Sequence, residues 1–195
     1  VRLLKLCALT LAIAAPASGA VAANLIKDGG FETPAPPPGS YTDYDPGQSI
    51  GKWTVVGGHN VTISSTTEVN LGITLDAKQG AAFLDLTGNC DCGDATAGVE
   101  QTVKTVPGAS YMLTFWVGNC YIPGHGTTST VNVYVNGNLL VAAENTRGNG
   151  STKQVWQKFV QTFVASTAKT TISFLNGDPD GDEQNGLDAV SLVAE

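Results

Sequence analysis

Positive charge is what this chain has least of: ten Lys and Arg stand against seventeen Asp and Glu, for a formal net charge of −7, and no basic run occurs. Such a surface repels nucleic-acid phosphates and anionic membranes, so no nucleic-acid partner is expected and neutral or cationic partners remain. Histidine is nearly missing: His59 follows a Gly57-Gly58 turn, His125 lies in a cysteine-bearing loop, and neither has the neighbours of a triad. There is no Gly-x-Ser-x-Gly elbow, His-Glu-x-x-His helix or phosphate loop, which removes the motif-bearing hydrolases, zincins and nucleotide enzymes. No segment holds a helical period for three turns, and no long apolar run follows the first residues.

The apolar run that does exist is at the start. A basic head, Val1-Arg-Leu-Leu-Lys5, precedes apolar residues 6–15 and a small-residue stretch over 17–23. That order predicts a secretory signal peptide cleaved after Ala23. The run is too short to span a bilayer, so the product is expected to be secreted, extracellular or periplasmic, without membrane insertion. The remaining 195 − 23 = 172 residues, 24–195, suffice for one domain burying about 70% of its unfolded-chain surface.

Without the leader, three cysteines remain: Cys90, Cys92 and Cys120. In an oxidising compartment an odd number predicts one disulfide and one spare thiol. The bond is expected as Cys92–Cys120 or Cys90–Cys120, because a Cys-x-Cys ring is strained; the spare thiol would allow a disulfide-linked dimer. A closed zinc site of Cys90, Cys92, Cys120 and His125 is the alternative.

Period-two alternation fills the rest. Tyr111, Leu113, Phe115 and Val117 form one strand face, with Met112, Thr114 and Trp116 on the other. Val131, Val133 and Val135 repeat the device before Asn136-Gly137, a type I′ hairpin signal. Further strands are expected over 50–56, 61–66, 81–86, 99–105, 155–165, 170–176 and 187–193, with an extended proline loop over 34–39. About ten short strands punctuated by Gly, Asn and Pro predict an all-β, jelly-roll β-sandwich.

The chain's last strand carries a carboxylate on an apolar parity. Asp188 alternates with Val190 and Leu192, and a buried carboxylate is expensive unless a cation or a set of donors meets it. Glu32, beside Phe31 near the start, is the expected co-ligand of a structural calcium clasp. Asp178, Asp180 and Asp182 form the second candidate, since alternating carboxylates in a glycine-bearing loop suit a hard cation. The EF-hand pattern fails there, with Glu183 at the turn-glycine position and Ala189 where the bidentate Glu would stand.

Several segments follow one another in order: Asn24-Leu-Ile-x-x-Gly-Gly-Phe-Glu, Trp53-Thr, Gln79-Gly80 before Ala82-x-Leu-Asp-Leu86, Gln101-Thr-Val with Pro107-Gly-x-x-Tyr-x-Leu-x-Phe115, and Leu187-Asp-Ala-Val-Ser-Leu192. This succession resembles a family of secreted plant and bacterial proteins catalogued as a domain of unknown function, with a galactose-binding-domain-like jelly roll akin to cenC-type carbohydrate-binding modules. The resemblance covers nearly all of 24–195. It implies a β-sandwich, often with a structural calcium near the termini, that binds cell-wall or extracellular polysaccharide. The chain departs from it in being a single domain, where plant members are similar to tandem pairs, and in its Cys90-x-Cys92 loop.

A sugar site needs an aromatic ring for the C–H face and polar groups for the hydroxyls. Trp116 and Tyr134 lie on the outward parity of successive strands, with Asn132 beside Tyr134; if those strands are neighbours they form a platform. Tyr121 and His125, and Tyr41 and Tyr44 in the loop after the prolines, could wall it. The expected function is non-catalytic binding of extracellular or cell-wall carbohydrate. The alternatives are a structural or adhesive matrix protein crosslinked through the odd cysteine, and a polysaccharide hydrolase or lyase drawing on carboxylates such as Asp85, Glu100 and Asp182.

Overall fold

The computed structural model describes residues 23–90, 93–121, 126–181 and 184–195. Its regular structure is β, apart from a 3-10 turn at Gly88–Cys90. In chain order the strands are β1 (Tyr41–Tyr44), β2 (Ser49–Ile50), β3 (Trp53–Val56), β4 (Val61–Ser65), β5 (Glu68–Asn70), β6 (Ile73–Leu75), β7 (Ala82–Asp85), β8 (Gly98–Lys104), β9 (Ser110–Asn119), β10 (Ser129–Val135), β11 (Asn138–Asn145), β12 (Val155–Val164), β13 (Lys169–Asn176) and β14 (Gly186–Ala194).

Two six-stranded sheets form the sandwich, ordered β1-β4-β7-β14-β9-β12 and β11-β10-β13-β8-β3-β2, with β5-β6 a separate hairpin. The alternating residues read from the sequence make its core. Leu113, Phe115 and Val117 of the first sheet meet Val99, Val133, Ile172 and Phe174 of the second in one buried cluster, and Phe115 packs edge-on against Phe174 at 5.3 Å between centroids. The Asn136-Gly137 turn joins Val135 to its partner Asn138. Both turn residues have positive φ, 49° and 78°, as a type I′ turn requires.

The first described segment is sewn to the last strand. Leu25 N–H donates to the Leu192 carbonyl at 2.8 Å, Val190 N–H donates to the Gly29 carbonyl at 2.8 Å, and Leu192 N–H donates to Asn24 Oδ1 at 2.9 Å. Contact is so close that a Cβ on Gly29 would overlap the Val190 carbonyl. Phe31, fully buried, stacks on Trp53 at 5.5 Å.

Two expectations change. Residues 41–44 form edge strand β1 of the first sheet rather than a loop. Asp188 does not share the core parity of Val190 and Leu192: the β9–β14 register shifts between Asp188 and Ser191, and Ala189 has φ 51°. This β-bulge inserts an extra residue, so Asp188 pairs with Trp116 and faces away from the core while Leu192 pairs with Leu113.

Candidate functional site

The outward face of the first sheet is roofed. Hairpin β5-β6 lays Ile73 and Leu75 over Phe83 and Cys120 in a second buried cluster, with Trp156 packed against it. Phe83 and Trp156 meet edge-on at 5.6 Å, and the indole N–H of Trp156 donates to the Asp76 carbonyl at 2.8 Å. Thr74 N–H donates to the Thr152 carbonyl at 3.1 Å and Gln154 N–H to the Thr74 carbonyl at 3.1 Å, fastening the roof. Consequently all of β4 and all of β7 are buried on both faces.

Where the roof stops, a cleft of about 330 Å³ opens over β1, β4 and β7. Its polar lining includes Glu68, Asp85 and Gln184, and Tyr41, Val69 and Leu71 border it, being 49%, 64% and 62% exposed. Thr62, also in the lining, donates from its hydroxyl to Asp43 Oδ1 at 2.6 Å. Asp85 Oδ1 accepts from Thr87 N–H at 3.1 Å, the Thr87 hydroxyl at 2.9 Å and Asn185 N–H at 3.0 Å. Gln184 is held through its backbone, N–H to Thr87 Oγ1 at 3.2 Å and carbonyl from the Ser129 hydroxyl at 2.7 Å. Its side chain is only 5% exposed. Among the described residues, Gln184 Oε1 and Glu68 Oε2 are buried without a hydrogen-bond partner. Burial pushes the Glu68 carboxyl above the ordinary value, the Ser64 hydroxyl pulls it down, and the charge of Asp43 adds to the rise.

The two expected clasp carboxylates do come together, at a different wall of the roof. Asp188 is 0% exposed, and its Oδ2 accepts from Lys78 and Gln79 N–H at 2.8 and 2.9 Å. Ala189 N–H reaches Asp188 Oδ1 at 2.5 Å. Glu32 Oε1 accepts from Ala81 and Ala82 N–H at 3.0 and 3.3 Å. Burial raises the Asp188 carboxyl to about 7, backbone N–H donors pull it down, and the charge of Glu32 adds to the rise. Both carboxylates flank the bare Cα of Gly30: a Cβ there would lie 3.6 Å from Asp188 Oδ1 and 3.7 Å from Glu32 Oε1. A hard cation held there would take its remaining oxygens from carbonyls and water. Among the described residues no group of three His, Cys, Asp or Glu surrounds it.

Comparison with known protein families matches residues 24–192 to the family described as Protein of unknown function (DUF642). The chain belongs to that family. Among solved structures it is similar to a Stig cyclase, Fisc, from Fischerella sp. TAU, with 22% identity over 90% of this chain and 98% of that one and a TM-score of 0.60. It is also similar to the CBM22-1 xylan-binding domain of Paenibacillus barcinonensis Xyn10C, at 17% identity over 82% and 97% of the two chains and a TM-score of 0.49. A family 35 carbohydrate binding module from Clostridium thermocellum matches at 17% identity over 78% and 97%, with a TM-score of 0.46. Comparison with curated proteins gives no match. The cyclase likeness shows the fold alone.

Within this DUF642 domain the other expected site residues scatter. Trp116 and Tyr134 do not form one platform, because β9 and β10 belong to opposite sheets and their outward faces point to opposite sides of the sandwich. Trp116 is half-buried, with the Lys78 ammonium 4.0 Å from its ring centroid. Tyr134 and Asn132 share the outward face of β10. Tyr44 turns to the core side and packs against the main cluster, whereas Tyr41 turns out to the cleft. Tyr121 is half-buried just after β9, and His125 lies outside the described residues. Asp178 is buried, its Oδ1 accepting from Thr130 N–H at 2.6 Å, and Asp180 Oδ1 accepts from Gly93 N–H at 3.3 Å; Asp182 lies outside the described residues. Cys120 is 3% exposed in the second cluster, which withholds it from an interchain bond. Both expected disulfide pairings run to Cys120; Cys90 is disulfide-bonded, and Cys92, named in one of the pairings, lies outside the described residues.

Sequence reasoning missed Glu68, Gln184 and the hairpin that builds the cleft. One signal was available: Ala81-Ala-Phe-Leu-Asp-Leu86 is apolar without alternation, the pattern of a strand covered on both faces.

Proposed function

We propose that this chain is a secreted, non-catalytic module that binds extracellular or cell-wall carbohydrate in the cleft beside Tyr41. The observation that carries this reading is the cleft's make-up: a half-exposed tyrosine and two exposed aliphatic side chains border a lining of hydroxyl, amide and carboxylate groups. A ring and aliphatic rim cover the C–H face of a sugar, and buried acceptors lacking donors take its hydroxyls. Affinity electrophoresis against a glycan panel tests it. Retardation by at least one polysaccharide, reduced in Tyr41→Ala, is the expected result; unchanged migration across the panel removes the reading.

The same lining supports one competing reading, a polysaccharide hydrolase with Glu68 as the acid and Asp85 as its partner, since glycoside hydrolysis uses two carboxyls. The three hydrogen bonds on Asp85 Oδ1 favour a positioning role for that carboxylate. Release of reducing ends from a retained polysaccharide, lost in Glu68→Gln, would decide for the hydrolase.

Structural calcium at Glu32 and Asp188 belongs to the same proposal. It is supported by the Gly30 cradle and by the raised Asp188 carboxyl, which burial lifts and the charge of Glu32 lifts further. Bound only by the folded state, the ion would add stability, so a chelator should lower Tm and added calcium restore it. An identical melt in both conditions would remove it.

A further inference from the structure

We propose that the cleft over β1, β4 and β7 takes an amino sugar, a hexosamine unit whose unacetylated nitrogen is an ammonium, with Glu68 as its partner. This inference rests on the carbohydrate reading above and narrows it.

Among the described residues, the lining contains two carboxylates, Glu68 and Asp85, and no Lys, Arg or His. Asp43 adds a third charge from behind Thr62; burial is what chiefly raises Glu68, and the charge of Asp43 adds to the rise. A uronic acid or sulfated sugar would place its anion among these carboxylates. The unmet need of the cleft is also one-sided. Gln184 Oε1 and Glu68 Oε2, buried and without a partner among the described residues, are both acceptors, so a ligand satisfies them only by donating. A hydroxyl donates one hydrogen. An ammonium donates three and brings the opposite charge. Gln184 is no loose surface amide: its backbone is bonded on both sides and its side chain is 5% exposed, so its oxygen is set before any ligand arrives. N-acetylation removes the charge and leaves one donor, which makes the acetylated sugar the informative competitor. Tyr41, Val69 and Leu71 would cover the sugar's C–H face in either case.

The test measures binding of the whole chain, by calorimetry at low salt, to short oligomers of glucosamine, N-acetylglucosamine and galacturonic acid. Expected are glucosamine binding about tenfold tighter than its acetylated counterpart, the ratio for one charge-assisted hydrogen bond, and no galacturonate binding. Glu68→Gln, checked for a native circular-dichroism spectrum, should bring the two affinities within about twofold. Glu144→Gln removes the same charge from an exposed position on the other sheet and should leave the ratio unchanged; equal loss in both variants would mean attraction by net charge alone and overturn the proposal. Equal or reversed affinities in the unaltered chain also overturn it. If neutral glycans bind while glucosamine oligomers do not, only this inference falls; if no glycan binds, the carbohydrate reading falls with it.

Discussion

The outward faces of the two sheets are made by the same alternation and have opposite fates. On the second sheet, each outward side chain of β10 and β13 stays half-buried or exposed, from Asn132 and Tyr134 to Lys169 and Ser173. On the first, Thr62, Ser64, Phe83, Asp85 and Asp188 point outward and are nonetheless buried. A short hairpin and the loops tied to it make the difference. The roof turns one solvent face into a second, small core, and the polar groups trapped beneath it then need partners. Most find backbone N–H groups or neighbouring side chains; at the open end, which is the cleft, Glu68 Oε2 and Gln184 Oε1 have no partner among the described residues.

The comparison breaks hardest at the roof's anchor. Phe83→Ala empties the fully buried site under Ile73, Leu75 and Trp156 and should cost about 3–5 kcal/mol in urea unfolding. Tyr134→Ala, the matching change on the open face, should cost under about 1 kcal/mol. Similar losses would mean that the hairpin adds no real core.

Next in size is the pH response of the roofed face. Asp188 binds its proton more tightly in the folded chain, at about 7 against 3.8, so its charge penalises the fold fully above about pH 7 and the penalty fades as pH falls toward the ordinary carboxylate range. In chelator, stability should therefore rise by about 3 kcal/mol from pH 8 to pH 5. Asp28 and Glu68, both raised chiefly by burial, act in the same direction. Asp188→Asn should flatten most of that slope; a slope unchanged in the variant would show that the carboxyl titrates normally.

The smallest effect sharpens the comparison at the level of binding. Tyr41→Ala should weaken glycan affinity about tenfold, as expected for loss of one stacking ring worth about 1 kcal/mol or more. Tyr134→Ala should leave affinity within about twofold. The reverse order of effects would move the site to the open sheet.

Much of this was readable before folding. The alternations at 111–117 and 131–135 and the Asn136-Gly137 turn are local, and each appears where the sequence puts it. Glu32 and Asp188 do lie close together, but the core parity expected of Asp188 is overturned: it is buried by a loop on the outer side, because the Ala189 bulge reverses its parity. Nothing local announces such an extra residue. The Trp116–Tyr134 platform failed for a related reason, since strands consecutive in sequence cross between sheets, and parity alone does not say which sheet a strand joins.

By itself the amino-acid order determined the class of the fold, its strands, its core side chains and its lack of basic surface, because side-chain period and charge are properties of neighbouring residues. Only the tertiary structure decided which outward face would be covered, and so where unsatisfied acceptors gather. Covering depends on contacts between Ile73, Phe83, Cys120 and Trp156, residues spread across more than 80 positions of the chain, and no local pattern encodes a meeting at that range.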